Sequence, residues 1–189
     1  MAVDVLGALT GCAGIARVIV VCGAAPPRVR SPKVELIQDS RRSGQSEAVW
    51  AGVERAKAAG FERVVCVPGD CPALSPQELQ ELIDQSAGCP AVVVPDRHGE
   101  GTNCLVLSPP DLFKPSFGPG SLDRHLAAAR AAGAEPVVVR PQTLLLDVDT
   151  PSDLRALVEH RRLLGPRSAT RRWLAAHHRL IGQLRTVAS

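Results

Sequence analysis

Three aspartates, Asp70, Asp147 and Asp149, are the residues best suited to chemistry on a polyvalent anion. Asp70 stands in Val67-Pro68-Gly69-Asp70-Cys71-Pro72, directly after a short apolar run. The proline two residues on restricts the direction in which the chain leaves that run. A carboxylate there suits a hard cation such as Mg²⁺, which takes oxygen ligands and keeps water and substrate phosphates as the rest of its shell. The competing reading is a plain turn aspartate ahead of Ser75, and the local residues do not separate the two. Asp147 and Asp149 lie two apart in Leu146-Asp147-Val148-Asp149-Thr150-Pro151. On an extended strand both would project to one side. Carboxylates so close repel unless a cation lies between them. Thr150 and Asp153 form a capping box around Pro151, which leaves Asp147 and Asp149 without a capping duty.

Glycine-rich turns supply the complementary groups. Arg97-His98-Gly99-Glu100-Gly101-Thr102-Asn103 combines an arginine, two glycines and a hydroxyl, as an anion loop does, although a hairpin turn uses the same residues. Phe117-Gly118-Pro119-Gly120-Ser121 leads into a helix whose N-terminus could hold a phosphate or carboxylate; the plain alternative makes Ser121 an N-cap. Arg124 and His125 fall in the first turn of that helix, the unfavourable end for cations, and a bound anion would offset the penalty. Gly44-Gln45-Ser46, after Ser43, opens another helix and offers an amide and backbone groups to a purine edge, or is only a capped start. His177 and His178 are neighbours on a helix, point apart and make no metal site.

These residues need a scaffold, and the apolar pattern supplies one. Short β-branched runs at residues 18–22, 34–37, 64–67, 91–94, 104–107, 137–139 and 144–146 suit strands buried on both faces. Helical segments are expected at 47–59, 76–86, 122–132 and 151–164, the second opened by Ser75, Pro76 and Glu78. In the first of these, Val49, Val53 and Ala56 form the buried face. The alternation predicts a three-layer α/β/α domain with a mixed, mostly parallel sheet. Sites in such sheets lie beyond the carboxyl ends of strands, where Asp70, Asp96 and Asp147 fall. The domain is expected over 1–164. A basic helical extension over 165–189 should turn Trp173, Leu180, Ile181 and Leu184 inward.

Bulk properties narrow the class. With 189 residues and 45% hydrophobic side chains, the chain has enough for one core and too much apolar character for disorder. Seven arginines and no acids follow residue 159, so residues 1–159 carry 15 basic and 19 acidic side chains, a net of −4. An acidic body with five aromatic residues argues against a nucleic-acid-binding domain. No run approaches the roughly 18–20 apolar residues of a membrane span, and Met1-Ala2-Val3-Asp4 lacks a signal-peptide start. Cys12, Cys22, Cys66, Cys71, Cys89 and Cys104 include no C-x-x-C pair and read as small hydrophobes in a reducing cytoplasm.

Taken in order, Val67-Pro68-Gly69-Asp70-Cys71-Pro72-Ala73-Leu74, Val94-Pro95-Asp96-Arg97-His98-Gly99-Glu100-Gly101-Thr102-Asn103, Pro115-Ser116-Phe117-Gly118-Pro119-Gly120-Ser121 and Leu146-Asp147-Val148-Asp149-Thr150-Pro151-Ser152-Asp153-Leu154 resemble the 2-phospho-L-lactate or phosphoenolpyruvate guanylyltransferases of deazaflavin coenzyme (F-420) biosynthesis. The resemblance covers roughly residues 1–155. Its first and last segments are shared with wider nucleotidyltransferases; the Asp96–Thr102 and Phe117–Ser121 segments are more specific. It implies a fold of the GT-A or molybdenum-cofactor guanylyltransferase type. It also implies transfer of GMP from GTP to a three-carbon phospho-acid with release of pyrophosphate. By the same resemblance Asp70, Asp147 and Asp149 would hold Mg²⁺, and Thr102, Gly118 and Ser121 would bind the acceptor, with Arg97 beside them. Gly44, Gln45 and Ser46 would face the nucleotide.

One departure stands out. The family places a first strand and a lysine- and arginine-containing phosphate loop ahead of the helix that Met1-Ala2-Val3-Asp4-Val5-Leu6 resembles. A sheet without that strand would expose apolar surface and unpaired backbone. The preferred expectation is a start upstream of Met1. The alternatives are a truncated, catalytically inactive binding module, or a nucleotidyltransferase acting on molybdenum cofactor or a sugar phosphate.

Overall fold

A computed structural model of the chain describes residues 1–23, 30–39 and 44–178. Ser43, Leu180, Ile181 and Leu184 lie outside the described residues. The order is α1 (Ala2–Gly11), β1 (Val18–Cys22), β2 (Val34–Gln38), α2 (Gln45–Ala58), β3 (Val64–Cys66), α3 (Pro76–Gln85), β4 (Ala91–Pro95), β5 (Thr102–Leu107), α4 (Ser121–Ala131), β6 (Val137–Val138), α5 (Pro151–Glu159) and α6 (Ala169–Ala176), with 3₁₀ turns at Gln142–Leu144 and Arg161–Leu163.

The main sheet runs β3-β5-β4-β6. β5 is antiparallel to β3 and β4, and β6 is parallel to β4, so three of the four strands share a direction. Side chains alternate across the two central strands. Val92, Val94, Cys104 and Val106 meet Val5 and Ala8 of α1 and Leu79 and Leu82 of α3. Ala91, Val93, Leu105 and Leu107 meet Val53 of α2 and Ala129 of α4. Helices therefore cover both faces, and the expected three-layer mixed α/β architecture is present. On α2, Val53 and Ala56 are buried and Val49 packs against the same cluster.

β1 and β2 form a separate parallel pair, Val18 opposite Val34 through Cys22 opposite Gln38. Arg17, just before β1, lies over the Phe61 ring, just before β3, with 5.9 Å from guanidinium carbon to ring centroid. The two strands thus set out from the same end of the molecule. Between them lies a cleft of about 1050 Å³, lined by Val5 and Leu9 of α1, Val49 and Val53 of α2, and Val20 and Val65 of the two strands. Among the described residues neither facing edge is hydrogen-bonded across it.

Two expectations are corrected. Residues 144–146 form no strand, because Pro141 leads into a 3₁₀ turn whose backbone groups are taken by side chains. Glu78 accepts from the Thr143 amide at 2.8 Å, and Asn103 Nδ2 donates to the Leu144 carbonyl at 2.9 Å. Asp147 and Asp149 therefore follow an irregular segment, not a strand end. Trp173 does not turn inward: it is 47% exposed and stacks on His177, while Thr170 and Leu174 make the buried face of α6. Asp4 of α1 anchors that helix, accepting from the amides of Ala169 and Thr170 at 2.6 and 2.8 Å. A carboxylate at a helix N-terminus is electrostatically favourable.

Candidate functional site

Asp70 sits in the turn after β3, above buried Cys71, Ala73 and Leu74. Its Oδ1 is buried without a hydrogen-bond partner, the one such side-chain atom among the described residues. Burial, then the neighbouring Asp149 and Asp147 charges, push its carboxyl above the usual range, against one backbone hydrogen bond. Asp147 is also raised, by burial and by Asp149 and Asp153, although Asn103 Nδ2 donates to its Oδ1 at 3.2 Å. Three carboxylates in one field, one of them holding an orphaned oxygen, are a site that a cation would relieve. Among the described residues no three His, Cys, Asp or Glu side chains form a ready-made metal cage. A cation here would need water and substrate oxygens to fill its shell, as Mg²⁺ ordinarily does.

Asp147 and Asp149 open on a pocket of about 250 Å³ shared with Arg97, His98, Thr150 and Asp153. Asp70 instead borders the large cleft, as does Gln45. Arg97 reaches from the loop after β4 to α5, donating to Asp153 Oδ1 from Nε at 3.0 Å and Nη2 at 2.7 Å, and to Ser152. That guanidinium is engaged in joining two loops, so its first role is to frame the pocket. Asp153 completes the capping box with Thr150 and also accepts from the Asp149 amide at 3.3 Å. Burial alone would raise its carboxyl; the Thr150 hydroxyl, Arg97 and the two amides more than offset this and hold it at about 2.

The segment between β4 and β5 is a hairpin turn and not an open anion loop. Asp96 accepts from the amides of Gly99, Glu100 and Gly101 at 2.6, 3.0 and 3.0 Å. Those donors are satisfied internally. A Cβ on Gly101 would come within 2.8 Å of Asp96 Oδ2, which explains the glycine.

Thr102 and Ser121 are brought together, Oγ to Oγ at 3.1 Å, both buried. Ser121 is not the cap of α4. Gly120, in the left-handed conformation, is the N-cap, and Ser121 is the first helical residue. Its amide and that of Leu122 are spent on the carbonyls of Gly118 and Glu100. Gly118 has φ 101°, so the turn requires it. Arg124 needs no bound anion to explain its place. It donates to the carbonyls of Ser116, Phe117, Gly118 and Pro119 and to the Ser116 hydroxyl, holding the loop. His125 brings no charge there: burial, helped by Arg124, lowers it to about 4.

Gly44 caps α2 at positive φ, and Gln45 and Ser46 open the helix. Ser46 Oγ accepts from the Phe117 amide at 2.9 Å, so this turn is tied to the acceptor-side loop. Three residues that matter were not singled out from sequence: Asn103, His125 as a neutral side chain, and Asp153 as a partner of Arg97. Asn103 follows Thr102 on β5 and points to the opposite face, so one strand end braces both the hydroxyl pair and Asp147. Their proximity is tertiary, at sequence separations of 41, 23 and 56 residues.

A mixed sheet covered on both faces, with carboxylates and glycine turns in the loops beyond its strands, is an architecture that nucleotidyltransferases use. Solved structures agree on the fold. A putative nucleotide-diphospho-sugar transferase from Desulfovibrio desulfuricans G20 matches with TM-score 0.71 and 20% identity, covering 96% of this chain and 81% of that one. A 4-diphosphocytidyl-2C-methyl-D-erythritol synthase matches with TM-score 0.57 and 17% identity, covering 87% and 90%. The chain belongs to the CofC-like guanylyl transferase family, whose model matches residues 1–175. A phosphoenolpyruvate guanylyltransferase from Conexibacter woesei is 42% identical over 189 residues, covering 97% of this chain and 82% of the relative. One from Sphaerobacter thermophilus is 34% identical over 140 residues, covering 69% and 68%. The protein is thus an enzyme of the guanylyltransferase class. Among the described residues no helix is long and apolar enough to cross a membrane.

Proposed function

We propose that this enzyme transfers GMP from GTP to phosphoenolpyruvate, releasing pyrophosphate and forming a guanosine diphosphate-linked three-carbon acid for deazaflavin coenzyme assembly. The observation that carries the transfer chemistry is the orphaned Asp70 oxygen in the field of Asp147 and Asp149. Those carboxylates would hold Mg²⁺, which would neutralise phosphate charge and orient the triphosphate. The names of the bacterial relatives favour phosphoenolpyruvate over 2-phospho-L-lactate as acceptor.

The residues account for the rest of the chemistry. An acceptor phosphate is already an anion at neutral pH, so its oxygen attacks the α-phosphorus of GTP without a general base. One P–O bond forms as the bond to the β-phosphate bridging oxygen breaks, and pyrophosphate leaves with the electron pair. Catalysis then rests on positioning and charge neutralisation. Thr102, Gly118 and Ser121 would seat the acceptor, and Arg97 would frame its entry. Gly44, Gln45 and Ser46 would meet the guanosine side, linked to the acceptor loop through Ser46 and Phe117.

The deciding experiment measures pyrophosphate release from GTP with phosphoenolpyruvate, 2-phospho-L-lactate, a sugar phosphate or molybdopterin. Release with phosphoenolpyruvate is expected. Release only with the sugar phosphate or molybdopterin would replace this reading, and none with either three-carbon acid would end it.

A further inference from the structure

The hydroxyl pair Thr102–Ser121 is joined to a third group, His125, and the three share a fixed number of protons. His125 is fully buried, its ring set against Phe113 and Phe117 with centroids 5.9 and 5.1 Å away. Its Nε2 lies 2.9 Å from the Ser116 backbone nitrogen, and its Nδ1 lies 3.0 Å from Thr102 Oγ1. A backbone N–H can only donate, so Nε2 must be the unprotonated, accepting nitrogen. A neutral imidazole then carries its proton on Nδ1, and Nδ1–H donates to Thr102 Oγ1. Burial and Arg124 lower the ring to about 4, so it is neutral at physiological pH.

The proton count has a consequence. Nδ1–H, the Thr102 hydroxyl and the Ser121 hydroxyl provide three protons. The two contacts His125–Thr102 and Thr102–Ser121 use two of them. One hydroxyl proton of the pair is left over to donate elsewhere. With the other tautomer Nδ1 would accept from Thr102, Thr102 would accept from Ser121, and no proton would remain. The choice is made by one amide, that of Ser116, held in a loop whose carbonyls are gripped by Arg124.

We infer that His125 is a positioning residue: by its imposed tautomer it makes the Thr102–Ser121 pair a hydrogen-bond donor towards the anionic acceptor. An acceptor carboxylate or phosphate has only lone pairs to offer, so a pair without a spare proton would repel it. The inference rests on the acceptor site proposed above. It adds that the specificity for an anion there is set by a side chain buried behind the hydroxyls.

Two measurements test it. In the whole chain labelled with ¹⁵N-histidine, long-range proton–nitrogen correlation should show His125 with a pyrrole-type Nδ1 and a pyridine-type Nε2. The reverse pattern overturns the relay, whatever the enzyme's activity. Kinetically, His125→Asn keeps a donor near the Nδ1 position, whereas His125→Leu leaves the two hydroxyls one mutual contact and one spare proton, with nothing to fix which hydroxyl carries it outward. The Leu variant should therefore raise the KM for phosphoenolpyruvate about fivefold, less than the loss of a whole hydrogen bond to a charged group, with the KM for GTP within about twofold of wild type. His125→Asn should recover most of that loss. Equal rises in both KM values, or no rescue by Asn over Leu, would overturn the acceptor role. Should the wild-type chain use neither three-carbon acid, the functional reading fails and the acceptor role with it. The tautomer spectrum still decides the relay by itself.

Discussion

Asn103 Nδ2 donates to Asp147 Oδ1 at 3.2 Å and to the Leu144 carbonyl at 2.9 Å, so one buried amide fixes both the carboxylate and the backbone that carries it. Asn103→Leu keeps a side chain of similar reach but leaves both acceptors without their donor. A buried polar group without its partner costs about 1–3 kcal/mol. The expected outcome is a lower urea midpoint at unchanged m-value, with kcat reduced more than the KM for GTP. An unchanged midpoint would show that water replaces the amide.

Asp70→Asn should separate activity from stability. The carboxyl is raised by burial and by Asp149 and Asp147, so the folded state disfavours its charged form. Removing that charge should raise Tm at pH 7 while abolishing pyrophosphate release. Added Mg²⁺ should raise the Tm of the wild type and not of the variant, since a ligand that binds only the native state stabilises it. A variant that keeps its turnover would remove Asp70 from the site.

His125 and Asp153 should each weaken the fold in acid, from opposite chemical origins, while the raised Asp70 and Asp147 carboxyls act in the other direction. His125 lies at about 4 when folded and near 6.5 when unfolded, so the unfolded chain binds the extra proton between those values. Its contribution is complete above pH 6.5 and is lost as pH falls to 4, by at most about 3 kcal/mol. As pH falls across that window, the urea midpoint of the wild type should drop relative to that of His125→Asn.

Asp153 acts lower on the scale. Its folded carboxyl lies at about 2 against an ordinary 3.8, so its stabilisation is present above pH 3.8 and is lost as pH falls towards 2. The shift corresponds to about 2 kcal/mol. Arg97→Met removes one of its donors and should shrink this second loss, while leaving the His125 window unchanged. A second step of the same size in Arg97→Met would mean that Thr150 and the amides suffice.

The sequence made the framework legible where local signals and periodicity agree. Ser75 and Thr150 cap their helices, and the runs at 91–94 and 104–107 are strands because two buried faces demand continuous apolar residues, while the run at 18–22 is a strand of which only Val18 is buried. Residues 144–146 are equally apolar, yet Asn103 takes the Leu144 carbonyl and Glu78 the adjoining Thr143 amide, both from far in the sequence, and no local pattern encodes that. Asp70, Asp147 and Asp149 were visible as acids near loops, whereas their coupling arises from the fold. Arg97 and Arg124 were visible as cations, but the groups they bind were not. Their partners, Asp153 and the carbonyls of residues 116–119, become neighbours only after folding.

The break between β1 and β3 also has a consequence for motion. The β1–β2 pair shares no ladder with the main sheet among the described residues, and it is held to the body through side-chain packing with α1 and α2. Its amides should therefore exchange with solvent deuterium through a partial opening that costs less than global unfolding. Protection at Val20 and Cys22, whose amides face β2, should fall well below that at Val93 and Leu105. Equal protection would mean that the two sheets unfold as one cooperative unit, with the cleft carrying no mechanical independence.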